Sequence, residues 1–190
     1  MLEFAIDGHD GAAKTPILEG VQQQLCAKGL SVMTCAPFHV ANHRYGSDVY
    51  SLWKHDESAH MLLGLLSDVI SCARDEASRH GADVLLFDRH WMTILVEIDD
   101  RRLLRACWED MVPTFFVSAP PAKTKACDRF SYALGWTSSD ERVEYYYQRY
   151  LEIVRRYPQH LLGTYDVLHK RQPLDPIITD IVGKILETLR

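Results

Sequence analysis

No window of this chain reaches the roughly 18 consecutive apolar residues that a membrane-spanning helix requires, and no basic segment is followed by an apolar stretch in the opening MLEFAID. Both absences point to a cytoplasmic protein with no membrane partner. Massed positive charge is also missing: 21 Lys and Arg are scattered among 26 Asp and Glu, for a net charge of −5. A nucleic-acid partner is therefore not expected, because polynucleotide binders concentrate basic residues on one surface. The five cysteines, Cys26, Cys35, Cys72, Cys107 and Cys127, show no C-x-x-C spacing, and their odd count suits buried reduced thiols rather than a disulfide framework. His39-x-x-x-His43 and the pair His55 and His60 lack an acidic or cysteine ligand at a supporting interval, so they do not specify a metal site. Internal repeats, low-complexity tracts and Gly/Ser linkers are absent, which leaves residues 1–190 as one domain.

What is present is an alternation. LEFAI, LSVMTCA, DVLLFD, TFFVSA and HLLGTYDV have the length and branched content of buried strands. Helical patterns separate them over Lys14–Lys28, Ser58–His80, Trp91–Met111, Pro121–Phe130, Asp140–Tyr157 and Leu174–Arg190. Gly29 and Gly81 stand where a left-handed residue would close the first two helices. Strand and helix in repeated alternation predict right-handed crossovers and a three-layer α/β domain with a doubly wound parallel sheet. Ala36–Asp48 reads as an unusually long connector.

In such a sheet, ligands bind beyond the carboxyl ends of the strands. The first such connector is DGHDGAAKTP, Asp7 to Pro16. It follows G-x-x-x-x-G-K-[ST] through Gly8, Lys14 and Thr15 but places Ala13 before the lysine. That pattern grips phosphate through inward-pointing N–H groups and a helix N-terminus, with a lysine charge on the phosphates and a hydroxyl on Mg²⁺. Ala13 keeps its N–H. It is neutral if its φ is negative and costs about 1 kcal/mol if its φ is positive. A second anchor follows the third strand, where DVLLFDRH puts Asp88 at the strand end and Arg89 at its exit. An acid there can hold Mg²⁺, and an arginine can neutralise transferring phosphates. Read alone, Asp88 could equally be a helix N-cap.

FAIDGHDGAAKT, GADVLLFDRHWMT, PTFFVSAPPAKTKACDRF and ERVEYYYQRYLEIV together resemble the thymidylate kinase family of P-loop nucleoside monophosphate kinases, over nearly the whole chain. The resemblance implies the P-loop kinase fold, ATP and Mg²⁺ as cofactors, and a homodimer. It implies that Gly8, His9, Asp10, Gly11, Ala12, Ala13, Lys14 and Thr15 hold ATP, together with Arg129. Thr15 and Asp88 would be the metal ligands, and Lys14, Asp88 and Arg89 the catalytic groups. Asp10, Phe38, Arg44 and Arg89 are the implied acceptor contacts, and Asp68 is a further candidate on its own chemistry, since it would accept from an amino-bearing base such as cytosine. Two departures concern specificity. Gly64 and Asp68 stand where the family carries a thymine-stacking aromatic and an arginine, and the lid segment near 130–141 keeps only Arg129 and Arg142 as obvious cations.

The expectation is phosphoryl transfer from ATP to a nucleoside monophosphate or related phosphate ester, with dTMP itself in question. The alternatives are a kinase for a nucleoside or other hydroxyl acceptor, with Asp10 or Asp88 as general base, and a catalytically weak nucleotide-binding protein. The helix SAHMLLGLLSDVISCA is apolar around most of its circumference, which suits burial against a second subunit.

Overall fold

The computed structural model describes residues 1–46, 59–97, 108, 110–121, 140–168 and 172–190. Five strands form one sheet: β1 (Leu2–Asp7), β2 (Val32–Cys35), β3 (Val84–Asp88), β4 (Thr114–Ser118) and β5 (Leu161–Asp166). Their order is β2-β3-β1-β4-β5, and every pairing is parallel. Alternation along the strands divides the interior into two cores, because successive side chains point to opposite faces. Phe4, Ile6, Val84, Leu86, Phe115 and Val117 pack with Ile17, Val21 and Leu25 of α1 (Lys14–Ala27) and with Ile178, Ile181 and Ile185 of α6 (Asp175–Thr188). Ala5, Leu85, Phe87 and Phe116 face the other way, toward α2 (Pro37–Tyr45), α3 (Ala59–Arg79), α4 (Trp91–Glu97) and α5 (Asp140–Arg156). The predicted three-layer doubly wound architecture is therefore the observed one.

Both helix-closing glycines take left-handed backbone, Gly29 at φ 88° and Gly81 at φ 63°. In each, the glycine N–H and the next N–H reach back to the last turn. Gly29 donates to Cys26 and Leu30 to Leu25, while Gly81 donates to Ser78 and Ala82 to Ala77. These bonds satisfy carbonyls that a helix end otherwise leaves without partners.

Three expectations are corrected. Residues Pro37–Tyr45 form the helix α2 rather than part of a long irregular connector. Pro37 opens it, which costs nothing at a position whose N–H has no intrahelical partner, and Phe38 and Ala41 fill one buried face. The helix expected over Trp91–Met111 is described only to Glu97, and Trp108 and Asp110–Pro113 lie outside helix, leading directly into β4. Cys26 is exposed and Cys35 and Cys72 are half-buried, so these thiols are free but not core groups. The helix expected over Pro121–Phe130 and most of the lid, Arg129 included, lie outside the described residues, as do Cys107 and Cys127.

Candidate active site

The central strand β1 runs into the loop Gly8–Thr15, the expected phosphate loop, and its neighbours bring the other candidates to it. Register pairs Ile6 with Asp88 on one side and Asp7 with Phe116 on the other. Asp88 and Arg89 therefore leave the sheet beside Gly8. Gly8 has φ 151°, and a Cβ there would lie 1.9 Å from the Val117 carbonyl oxygen, so no side chain fits between the loop and β4. Gly11 follows at φ 80° and Ala13 at φ 61°, directly before the first residue of α1. The condition on Ala13 thus resolves to the strained alternative, an L-residue in the left-handed region.

Lys14 is 7% exposed and its Nζ donates to the His9 carbonyl at 2.8 Å, which folds the side chain back over the loop. Burial first, and then the neighbouring Arg89 charge, lower its pKa to about 8. His9 locks the loop to β4. Its Nε2 accepts from the Ala119 N–H at 2.9 Å, while Nδ1 lies 2.9 Å from the Asp10 carbonyl. A carbonyl only accepts and an amide N–H only donates, so the neutral tautomer with the proton on Nδ1 satisfies both. Burial agrees, pushing the imidazole down to about 4.

Thr15 Oγ1 lies 3.4 Å from Asp88 Oδ2, bringing the two expected metal ligands together. Arg89 forms an ion pair with Asp10, whose side chain is 93% exposed. Arg89 Nη1 also donates to the Gly8 carbonyl at 3.1 Å and approaches Thr93 Oγ1 and Tyr150 Oη, each at 3.4 Å. Burial opposes the Arg89 charge, but Asp10, Asp7 and Asp88 outweigh it and hold the guanidinium above its ordinary pKa. Arg89 has φ 69°, and among the described residues it and Ala13 are the two non-glycine residues with positive φ. Among the described residues, left-handed non-glycine backbone is thus confined to this edge of the sheet.

Sequence reasoning missed what lies beneath. Asp7 is fully buried and accepts from the Gly8 N–H at 2.7 Å, the His90 N–H at 2.9 Å, the Thr93 N–H at 3.2 Å and the Thr93 hydroxyl at 2.7 Å. Tyr150 Oη lies 3.3 Å away. One carboxylate thus ties the start of the phosphate loop to the start of α4. The available signal was an acid ending an otherwise apolar strand immediately before the loop glycine. His90 is buried against Phe87 and Trp108, and both its ring nitrogens lack a hydrogen-bond partner among the described residues. Burial pushes it down to about 4, so it is a neutral packing group.

The remaining acceptor candidates sit apart, on α2 and α3. Phe38 is 5% exposed and packs within the core, which leaves it little ring face for a base. Arg44 Nη1 and Asp68 Oδ2 form an exposed ion pair at 3.3 Å, and Tyr45 Oη also donates to Asp68. These two predicted contacts therefore satisfy one another. His39 and His43 fall one turn apart on the exposed face of α2, and no group of three or more metal donors occurs among the described residues.

The loop and its neighbours fit a magnesium nucleotide. The Gly8 backbone leaves no room for a side chain, the lysine is held over the loop, and the Thr15 and Asp88 oxygens suit a cation that takes few protein ligands beside phosphate. No family model matches the chain, and no curated protein does. Among solved structures, the chain is similar to a deoxyadenosine kinase from M.mycoides with the products dCMP and a flexible dCDP bound. The TM-score is 0.63 at 10% sequence identity, over 98% of this chain and 100% of that one. At that identity the likeness speaks for the fold alone: a parallel five-stranded α/β sheet with helices on both faces is common to the two chains.

Proposed function

We propose that this protein transfers the γ-phosphoryl group of ATP, with Mg²⁺, to a nucleoside monophosphate or related small phosphate ester. The observation that carries this reading is the convergence of Lys14, the Thr15–Asp88 pair and the Asp10–Arg89 pair at the carboxyl ends of two adjacent strands. Thr15 and Asp88 would hold the cation, which when bound would neutralise charge on the bridged phosphates. Lys14 places a second positive charge over the loop. Arg89, fixed by Gly8 and Asp10, supplies a third on the side from which an acceptor approaches. Phosphoryl transfer needs positioning and charge more than a general base, and these residues provide both. The mechanism is charge neutralisation around an in-line displacement.

A hydroxyl acceptor is the second reading. Asp10 favours it: an exposed carboxylate beside Arg89 can accept a proton from a sugar hydroxyl, whereas it repels an acceptor phosphate. The likeness to a deoxyadenosine kinase points the same way. The proposal includes a cytoplasmic location and a homodimer paired through α3, where Met61 is exposed.

The test is an ADP-release screen with ATP and Mg²⁺ against nucleosides and nucleoside monophosphates, beside calorimetry of MgATP binding. Monophosphate-dependent ADP release supports the main reading, and turnover of nucleosides alone transfers it to the second. If wild-type protein gives no binding heat and Lys14→Ala changes nothing, both fail.

A further inference from the structure

Tyr150 lies on α5 and is 2% exposed, stacked on Phe116 at 5.8 Å between ring centroids. Its hydroxyl is the far end of a chain of hydrogen bonds that reaches Arg89. The Tyr150 hydroxyl has one proton and two acceptors in reach, Thr93 Oγ1 at 2.7 Å and Asp7 Oδ1 at 3.3 Å. Asp7 accepts from the Thr93 hydroxyl at 2.7 Å, which uses the single Thr93 proton. With that proton on Asp7, the tyrosine is the donor in the 2.7 Å contact between Thr93 Oγ1 and Tyr150 Oη, which is shorter than its 3.3 Å approach to Asp7. With its proton turned to Thr93, the phenol oxygen presents lone pairs to Arg89 Nη1 at 3.4 Å. Tyr150 gives to Thr93, Thr93 gives to Asp7, and Arg89 donates onto both hydroxyls.

The backbone at Arg89 is clamped by the same unit. Its own N–H donates to the Ile6 carbonyl at 3.0 Å, and the next N–H, that of His90, donates to Asp7. A left-handed arginine persists only where its surroundings over-determine it, and here the Ile6 carbonyl holds the Arg89 N–H while the Asp7 carboxylate holds the next one.

We infer that Tyr150 is a positioning residue: by its own contact with Nη1 and through Thr93, which Asp7 anchors, it sets the rotamer of the Arg89 guanidinium relative to the Gly8–Thr15 loop. The inference rests on the kinase reading for its kinetic consequence, but not for its structural one. Tyr150 touches no reacting atom. Removing its hydroxyl leaves Arg89 charged and present while freeing it to turn from Gly8 and Asp10. A misplacement of about 1 Å in a charged group that stabilises a transition state lowers rate by about 100-fold.

The experiment compares wild type with Tyr150→Phe, Thr93→Val and Thr93→Ser. It reads three quantities: the side-chain N–H resonances of Arg89 by NMR, the dissociation constant of MgATP, and kcat and KM with the best acceptor. Tyr150→Phe is expected to shift or broaden the Arg89 resonances and to lower kcat about 10- to 100-fold, with MgATP affinity held within about twofold. Thr93→Val should do the same, and Thr93→Ser, which keeps the hydroxyl, should recover most of the loss. Unchanged Arg89 resonances in Tyr150→Phe overturn the inference, as does a kcat within twofold of wild type. A wild type that turns over no acceptor overturns the kinase reading alone, and the Arg89 resonances then decide this one.

Discussion

The two ends of β1 each carry an arginine among carboxylates, and the two are built differently. At the amino end, Arg74 of α3 binds Glu3 through Nε and Nη2 and binds Asp110 through both terminal nitrogens, at 2.6–2.9 Å. Burial works against charge on Asp110, and Arg74 more than offsets it, holding that carboxyl below its ordinary pKa. At the carboxyl end, Arg89 spreads its contacts over a carbonyl, two hydroxyls and one carboxylate that is almost wholly in solvent. Arg74 is saturated by two anions and sits on an ordinary helix. Arg89 stands on strained backbone beside an exposed partner that can be exchanged. The same chemical pair thus joins distant segments at one end of a strand and, under the proposed function, would offer exchangeable charge to a ligand at the other.

The sharpest way to break this contrast is to remove one cation from each end. Lys14→Ala at the carboxyl end is expected to lower phosphoryl transfer by about 1000-fold, the upper range for loss of one preorganised charge. Thermal stability should hold or rise, since the deleted cation is buried. Binding heat and turnover measured beside a melting curve check both halves. Arg74→Ala should do the reverse: a loss of about 2 kcal/mol in urea denaturation, because Glu3 and Asp110 lose their common partner, with MgATP affinity within about twofold of wild type. If Arg74→Ala weakened MgATP strongly, the two ends would not be separable.

Protonation sharpens the comparison further. Lys14 is charged below about pH 8 and its burial resists that charge. MgATP should favour the protonated amine, so affinity should fall as pH rises through 8, approaching tenfold per unit, with proton uptake on binding. Stability moves oppositely. A lysine with folded pKa near 8 and a higher unfolded value burdens the fold below pH 8, and the burden lifts as pH rises toward the unfolded value. Calorimetry between pH 7 and 9.5, in buffers of different ionisation heat, measures the linkage. A flat affinity across that range would remove Lys14 from the phosphate contact.

The smallest expected effect is at Ala13. Glycine there relieves about 1–2 kcal/mol of left-handed strain and gives back about 0.4–1 kcal/mol in unfolded-state entropy. Ala13→Gly should therefore be neutral to slightly stabilising and tighten MgATP by no more than a few fold, as read by denaturation and calorimetry.

Much of this was legible because it is local. Apolar runs of strand length, the glycines that close α1 and α3, and the G-x-x-x-x-x-K-T spacing each state their structure within a few residues. The helix α2 was not legible. It is one short element with no capping side chain, and its buried face is only Pro37, Phe38 and Ala41. The buried part of the site was illegible for a different reason. Asp7, Thr93 and Tyr150 come from β1, α4 and α5, and only the closed sheet brings an end-of-strand acid, a helix threonine and one tyrosine of several into a single unit. Phe38 shows the converse error: an aromatic in the right connector, spent on the core.

Ala13 and Arg89 share a backbone conformation that glycine would occupy without strain. A redesign guided by backbone strain alone would therefore choose these two positions early and treat them alike. At the first it would improve the protein and restore the usual loop residue. At the second it would relieve the same strain but delete the guanidinium, with its bonds to Gly8 and Asp10 and its approach to the Thr93 and Tyr150 hydroxyls. Thermostability screens of this chain should thus accept glycine at residue 13 and reject it at residue 89, although both changes relieve the same left-handed backbone.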